Sequence, residues 1–338
     1  MNRKRSFQFI SLLVVLIGNF SGLLFSQAST PVQNFGVDPR AYVERQSFWT
    51  EFNLAGTISK DGRWQYQMDY QYRRASNASF IKGGTSNPFN EIQQQVFRPW
   101  IHYWAVPKVV RFSLSPIGFW VTWTPKEEAS IYTNKDQDQS RQSVFPEFRI
   151  CPQVTFFQNI GRVQFINRFR YEFRYIGERR AADNSLADFG VGFNFAPTDI
   201  QDQTGNYYGN NHLGRIRWQT RVQFPLGKGK TKVENNTWYI NSWNELFLGV
   251  GNHVPNTKLL NQNRFVAMFG YKMKSSFPVK IEAGITYQTL FQYNINNIPT
   301  NTSVSLAKNN VENNLAYTIY VIFDEFHLLF KKKKDTSE

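Results

Sequence analysis

Between residues 163 and 175, aromatic and aliphatic side chains alternate with polar and charged ones. A period of two over this length predicts a β-strand with one aromatic face and one charged face. The segment exceeds the about 9–11 residues that a tilted strand needs to cross a bilayer. We therefore expect the aromatic face to contact lipid and the charged face to line a barrel. The charged face carries Gln164, Ile166, Arg168, Arg170, Glu172 and Arg174.

Residues 1–28 predict a cleaved secretory signal. Basic residues at 2–5 precede a mostly apolar stretch at 7–24, and Ser26-Gln27-Ala28 supplies small residues for cleavage. A single membrane anchor is the alternative interpretation of this long apolar stretch. Beyond residue 28 no apolar run reaches about 18 residues, which excludes a helical membrane protein. The single cysteine, Cys151, excludes an intramolecular disulfide.

The composition is aromatic and basic, with 31 Phe, 16 Tyr and 9 Trp. The formal charge of +14 falls to +11 when Arg3, Lys4 and Arg5 leave with the signal. A basic chain suggests nucleic acid as a partner, but the export signal argues against it. We interpret the charge as a solvated tail at Lys331–Lys334 and a basic barrel interior.

In eleven segments apolar and polar side chains alternate, as they do at residues 163–175. The links between these segments are alternately short and long. The short links lie near residues 60, 107, 160, 228 and 276, and the long ones lie at about 75–91, 125–145, 177–212, 250–262 and 294–313. Bacterial barrels sort short periplasmic turns and long extracellular loops in this way. The segments are 48–58, 64–73, 92–106, 109–124, 147–157, 163–175, 213–226, 233–250, 263–274, 279–292 and 315–323.

These observations predict an all-β fold, a single transmembrane antiparallel up-and-down β-barrel. Because such barrels prefer even strand numbers, we expect about twelve strands, with ten as the alternative. The additional strand is expected within 32–46 or at 189–195. The expected organisation is a signal peptide at 1–28, an N-terminal segment or first strand at 29–46, the barrel at 47–330 and a basic tail at 331–338.

Two local signals refine this topology. The Asp61-Gly62 pair predicts a hairpin turn between the first two strands. In the fourth segment the apolar positions are even up to Leu114 and odd from Phe119. This change of parity around 116–118 predicts a bulge or kink.

Alternation alone does not show which face of the strands contacts water, because a soluble lipocalin-like barrel places its apolar face inward. The predicted strands are much longer than the about 5–6 residues typical of soluble domains. Aromatic residues dominate the apolar face, as they do in the interfacial girdles of membrane barrels. Both observations favour the membrane interpretation.

A set of short motifs resembles the uncharacterised outer-membrane barrels, of the Bacteroidota type, that are grouped as domain-of-unknown-function family 2490. The resemblance covers roughly residues 47–323 and implies an outer-membrane barrel with no established activity. The insert at 177–212 and the tail at 331–334 depart from the family pattern. The motifs are Trp49, Trp64 to Arg73, Arg168–Arg174, Arg215–Arg221 followed by Pro225-Leu226, Trp243–Phe247, Asn261–Arg264 followed by Gly270-Tyr271, and Glu282–Gln288.

Charged residues on the polar faces are the candidate lumen lining. They predict either an anion-selective path or an internal salt-bridge network with Glu147, Glu172 and Glu245 as partners. The fourteen candidates are Arg111, Glu147, Arg149, Arg168, Arg170, Glu172, Arg174, Arg215, Arg217, Arg221, Glu245, Arg264, Lys280 and Glu282.

The sequence contains no recognisable catalytic, cofactor or metal motif. The histidines His102, His212, His253 and His327 lack metal-ligand spacing, and no Gly-x-Ser-x-Gly elbow occurs. The leading hypothesis is therefore a non-enzymatic outer-membrane channel for small anionic or polar solutes. A closed structural or binding barrel that acts through its extracellular loops is the alternative, and an outer-membrane hydrolase is a distant third. The expected partners are outer-membrane lipid and small anionic solutes, without nucleic acid and with protein partners left open.

Overall fold

Long β-strands make up most of the chain in the computed structural model. The structure describes residues 42–76, 86–123, 143–176, 180–181, 200–201, 207–208, 213–227, 229–250, 260–273, 279–293 and 309–326. In these ranges no helix is both long enough and apolar enough to span a membrane. The long strands are β1 (Tyr42–Thr57), β2 (Trp64–Ala75), β3 (Glu91–Val106), β4 (Val110–Trp123), β5 (Ser143–Ile160), β6 (Val163–Ile176), β10 (Leu213–Pro225), β11 (Thr237–Val250), β12 (Leu260–Lys272), β13 (Val279–Tyr293) and β14 (Asn309–Phe323). Three two-residue strands are β7 (Arg180–Ala181), β8 (Ile200–Gln201) and β9 (Tyr207–Tyr208).

The long strands form one closed barrel. Each pairs antiparallel with the next along the chain, with β6 followed by β10. The circle closes where β1 pairs in parallel with β14, from Tyr42 opposite Val311 to Leu54 opposite Phe323. Because β1 and β14 run in the same direction, the described part of the barrel holds an odd number of strands, eleven.

The predicted all-β antiparallel barrel and its eleven alternating segments are confirmed, and the strand number of eleven lies between the expected twelve and the alternative of ten. The expected additional strand, which rested on the preference for even numbers, is not needed to close the described barrel, because a parallel seam does so. Residues 42–46 belong to β1 and are not a separate strand. Residues 32–41 and 189–195 lie outside the described residues.

The links divide between the two ends of the barrel. One end, called the short-link end, carries 58–63, 107–109, 161–162, 226–236 and 273–278. The opposite, long-link end carries the connections after β2, β4, β6, β11 and β13. Link 226–236 is longer than expected, because β11 begins at Thr237 and not near residue 233.

The barrel is apolar outside and polar inside. Trp238 and Phe269, which face outward, are each 50% exposed, whereas Glu172 on the inner face is 0% exposed. The outer aromatics pack against each other across strands, as in the stacked rings of Phe169 and Trp218. This distribution is the reverse of that in a soluble barrel.

Both local predictions are confirmed. The register of the β4–β5 pair shifts between Ser115 and Gly118, at the predicted change of parity. Gly62 has φ of 72°, which a turn glycine adopts without strain. In the same turn the pKa of the Asp61 carboxyl is lowered, because it accepts hydrogen bonds from the Ser59 hydroxyl and the backbone N–H of Arg63.

Polar contacts join elements at the short-link end. Arg162 donates to the backbone carbonyls of Lys230 (2.7 Å) and Gly227 (2.6 Å), tying two turns together. The hydroxyl of Thr57 donates to the Glu325 carboxylate at 2.8 Å, which joins the ends of the two seam strands. These contacts fix the positions of the turns at the short-link end.

Candidate functional site in the barrel interior

All fourteen predicted lining residues lie on the inner face of the barrel. Strand alternation places them there because their neighbours along each strand are the outward-facing apolar residues. Ten of them are cationic and four are anionic, so the interior is basic. Arg111, Arg168, Arg174, Arg221, Arg264 and Lys280 are half-buried. Glu147, Arg149, Arg170, Glu172, Arg215, Arg217, Glu245 and Glu282 are buried.

Glu172 is the most highly coordinated carboxylate of the described interior. Arg215 lies directly opposite it in the β6–β10 register and donates to it. Arg217 donates to it at 2.7 Å, and Arg149 lies 3.3 Å away. The Arg170 guanidinium is more distant, at 3.9 Å. One fully buried negative charge is thus surrounded by arginines from β5, β6 and β10.

Glu245 on β11 extends these contacts around the barrel wall. It accepts hydrogen bonds from Arg217 (2.8 Å) and Arg168 (2.6 Å) and lies 3.8 Å from Arg264 on β12. Arg217 therefore joins two carboxylates, Glu172 and Glu245. Such charge-assisted hydrogen bonds are the strong ones, and a buried carboxylate requires them.

Glu147 on β5 is the third buried glutamate that pairs with interior arginines. It accepts a hydrogen bond from Arg149 at 2.6 Å and also pairs with Arg174. Arg149 joins it to Glu172, so the pairs are continuous from β5 to β12. We call this set the glutamate network: Glu147, Glu172 and Glu245 with Arg149, Arg168, Arg174, Arg215, Arg217 and Arg264.

Aromatic rings fill the space beside the glutamate network. The Arg149 guanidinium lies 4.1 Å from the Trp120 ring centroid, and the Arg217 guanidinium lies 4.5 Å from that of Phe247. Both rings are buried, Phe247 at 1% exposure. Cation–π contacts of this kind add to the attraction of the ion pairs. Charged and aromatic side chains thus pack together where the glutamate network lies.

A further buried ion pair, outside the predicted lining residues, joins β2 and β3. Arg98 on β3 donates to Asp69 on β2 at 2.6 Å, and the Trp100 indole donates to the same carboxylate at 2.9 Å. Asp69 already stood on the polar face predicted for the second strand. Its partner was not identified because the β2–β3 register, which sets Asp69 opposite Arg98, includes a shift at Arg73 and Arg74.

Other arginines face the interior without a carboxylate hydrogen-bonded to them. Arg170 donates to the Gln153 side-chain oxygen at 2.9 and 2.7 Å. Arg111 and Arg221 have no hydrogen bond or ion pair with a described residue. His102 bonds through Nδ1 to Ser113 Oγ at 2.7 Å. We call Arg111, Arg170, Arg221 and His102 the arginine group. It lies nearer the short-link end than most of the glutamate network.

The two remaining predicted lining residues are at the short-link end. Lys280 pairs with Asp324 at 2.7 Å. Glu282 accepts hydrogen bonds from the Tyr239 hydroxyl (2.8 Å) and the Asn241 amide (3.0 Å), which are neutral donors. Neither residue belongs to the glutamate network.

In the described interior His102 pairs with Ser113, and the metal-binding residue types are not clustered. The His102–Ser113 pair is buried, and His102 Nε2 has no hydrogen-bond partner among the described residues, so no acid orients the ring. Within the same residues, no cluster of three or more His, Cys, Asp or Glu could hold a metal ion.

The comparisons with known proteins agree with the sequence motifs. A family model described as Protein of unknown function (DUF2490) matches residues 46–298. No curated protein and no solved structure matches the chain. The matched range contains all fourteen predicted lining residues, and it confirms the family resemblance.

Proposed function

The chain belongs to the DUF2490 family, and we propose that it is an outer-membrane β-barrel whose interior is sealed by the glutamate network. In this proposal the protein acts as a structural or binding barrel through its ends and conducts no solutes. The observation that carries it is the full burial of Glu172 among arginines of three strands.

The outer face supports a location in a membrane. The long strands have 12 to 18 residues, more than the about 9–11 that a tilted strand needs to cross a bilayer. The residues exposed on them are large and apolar, including Phe112, Phe269 and Trp238. In water this surface would favour aggregation, whereas in lipid it is the expected surface. The predicted signal at 1–28 favours the outer membrane.

The burial of the interior charges supports the seal. In a water-filled channel the side chains that line the wall remain accessible to water, as in porins. Here Glu172, Glu245 and Glu147 are 0–2% exposed, and aromatic rings pack beside their arginines. A barrel of modest strand number can be filled by its own side chains. Separating these pairs would leave several charges buried without partners, which is costly.

An anion-selective channel is the second candidate function. The excess of arginine over carboxylate on the inner wall favours it, because rings of one charge select ions by sign. Conduction would require the glutamate network to rearrange. Catalysis has the least support, because the buried His102–Ser113 pair has no orienting acid.

Planar-bilayer recording tests the seal. Purified protein reconstituted at a density that gives many copies per bilayer is expected to show no steady current in potassium chloride. Gel mobility of unheated samples and protease protection of the inserted barrel verify folding in the same preparation. Reproducible current steps with anion-shifted reversal potentials would overturn the seal and support the channel.

A further inference from the structure

We propose that the arginine group binds a small dissolved oxyanion, of the class of inorganic phosphate, inside the barrel. The proposal rests on the proposed membrane barrel, with its apolar outer face and polar interior, but not on whether that barrel conducts solutes. Four cationic or polar side chains from β3, β4, β6 and β10 contribute to the site. They face the interior, away from the lipid-facing surface, so the ligand is a solute and not a lipid headgroup.

The strand registers bring these side chains together. His102 is opposite Ser113, which is opposite Gln153, which is opposite Arg170, and the four form one row from β3 to β6. In the next row, Thr155 lies between Arg111 and Arg168. Gln219 on β10 is opposite Arg168, so Arg221 is the next inward-facing residue of β10 beside the second row. Arg111 is repelled by the charges of Arg168 and Arg221.

Each of these side chains has an unused buried polar atom. The atoms are Nη1 of Arg170, Nε2 of His102, and Nε of Arg111 and Arg221, none of which has a hydrogen-bond partner within the described part of the chain. Arg170 and His102 are each 4% exposed. Buried polar atoms without a hydrogen-bond partner are rare in native proteins, because each costs the desolvation of a polar group. Such a set indicates an acceptor that the described residues do not provide.

The local charge balance is also incomplete. Arg170 lies 3.9 Å from Glu172, and both Glu172 and Glu245 are already shared by at least three arginines. The polar neighbours Gln153, Thr155 and Ser113 are neutral. An anion held between the arginines would offset the repulsion, which is the physical reason for binding.

Aromatic rings lie beside all three guanidinium groups, and Arg170 also donates two hydrogen bonds to Gln153 through Nε and Nη2, which leaves its Nη1 without a hydrogen bond. Arg170 lies 4.5 Å from the ring centroid of Trp100, Arg221 lies 4.4 Å from that of Trp243, and Arg111 lies 5.4 Å from that of Trp104. Stacking on a ring face leaves the N–H donors at the edge of the guanidinium free. Paired donors in that plane match an oxyanion with several oxygens better than a spherical halide. Arg111 and Arg221 are less buried than Arg170 and His102.

Anion titration of the folded, detergent-solubilised protein tests the site. Inorganic phosphate is added to one series and sodium chloride to another at the same ionic strength, and heat release and the unfolding midpoint are recorded. Phosphate is expected to bind saturably and to raise the midpoint, and chloride is not. Arg111→Gln and Arg221→Gln are each expected to weaken phosphate binding about tenfold or more, the effect of losing one charge-assisted contact. Arg63→Gln, in the exposed turn after β1, is the matched control and should bind phosphate as wild type does.

Two outcomes would overturn the site. One is a wild-type response to phosphate no larger than that to chloride, a comparison that needs no folded variant. The other is phosphate binding by Arg111→Gln and Arg221→Gln with wild-type affinity. Bilayer recording keeps the two proposals apart. A silent barrel that ignores phosphate overturns this site alone, whereas a conducting barrel that binds phosphate overturns the seal alone.

Discussion

The glutamate network and the arginine group both place arginine side chains in the barrel interior, but the arginines of the two sets have different partners. Arg217 donates three hydrogen bonds to two carboxylates. Arg111 has aromatic rings and like charges around it and no carboxylate partner among the described residues. The role of a buried arginine therefore depends on its partners, since a buried charge is tolerated only when it is compensated. The first set closes the barrel, and the second leaves a position for an anion.

The largest effect is expected from Arg217→Gln in the glutamate network. The substitution removes the cation that joins Glu172 to Glu245 and leaves both carboxylates with fewer donors. Breaking a buried pair from one side costs about 3–5 kcal/mol, so the free energy of unfolding should fall by that amount. Equilibrium unfolding of the barrel by guanidinium chloride in detergent measures this free energy, with Arg63→Gln as the control. A cost below about 1 kcal/mol, the value typical of exposed pairs, would show that the network does not stabilise the barrel.

The same substitution at Arg111 is expected to have a much smaller effect. No hydrogen bond to a described residue is lost, and repulsion from Arg168 and Arg221 is relieved. The free energy of unfolding in phosphate-free buffer should stay within about 1 kcal/mol of wild type, because relieved repulsion offsets the lost ring contacts. The same unfolding experiment in guanidinium chloride measures this free energy. A loss as large as that of Arg217→Gln would remove the distinction between the two regions.

The composition of the inner face could be predicted from the sequence. The alternation at 163–175 places Arg168, Arg170, Glu172 and Arg174 on one face, because a strand has a period of two. The carboxylate partners Glu147, Glu172 and Glu245 were predicted as one of two alternatives for the interior. The hairpin at Asp61-Gly62 also followed from local turn chemistry.

The pairing of individual residues could not be predicted. Which arginine meets which carboxylate depends on the register between strands, and long links and bulges set that register. The β11–β12 pair, for example, shifts at Phe247 and Leu248, beside the contact of Glu245 with Arg264. The odd strand number followed from a parallel seam between the two ends of the barrel, which no local pattern encodes.

The native thiol of Cys151 tests the sealed interior most directly. This residue faces inward, is 0% exposed, and packs with Val96, Trp100 and Trp120. A small membrane-impermeant thiol reagent added on both sides of reconstituted vesicles should leave it unlabelled until the protein is denatured. Lys60→Cys in a Cys151→Ser background, in the exposed turn after β1, should label at once. Labelling of native Cys151 in the folded barrel at the rate of that control would contradict the seal.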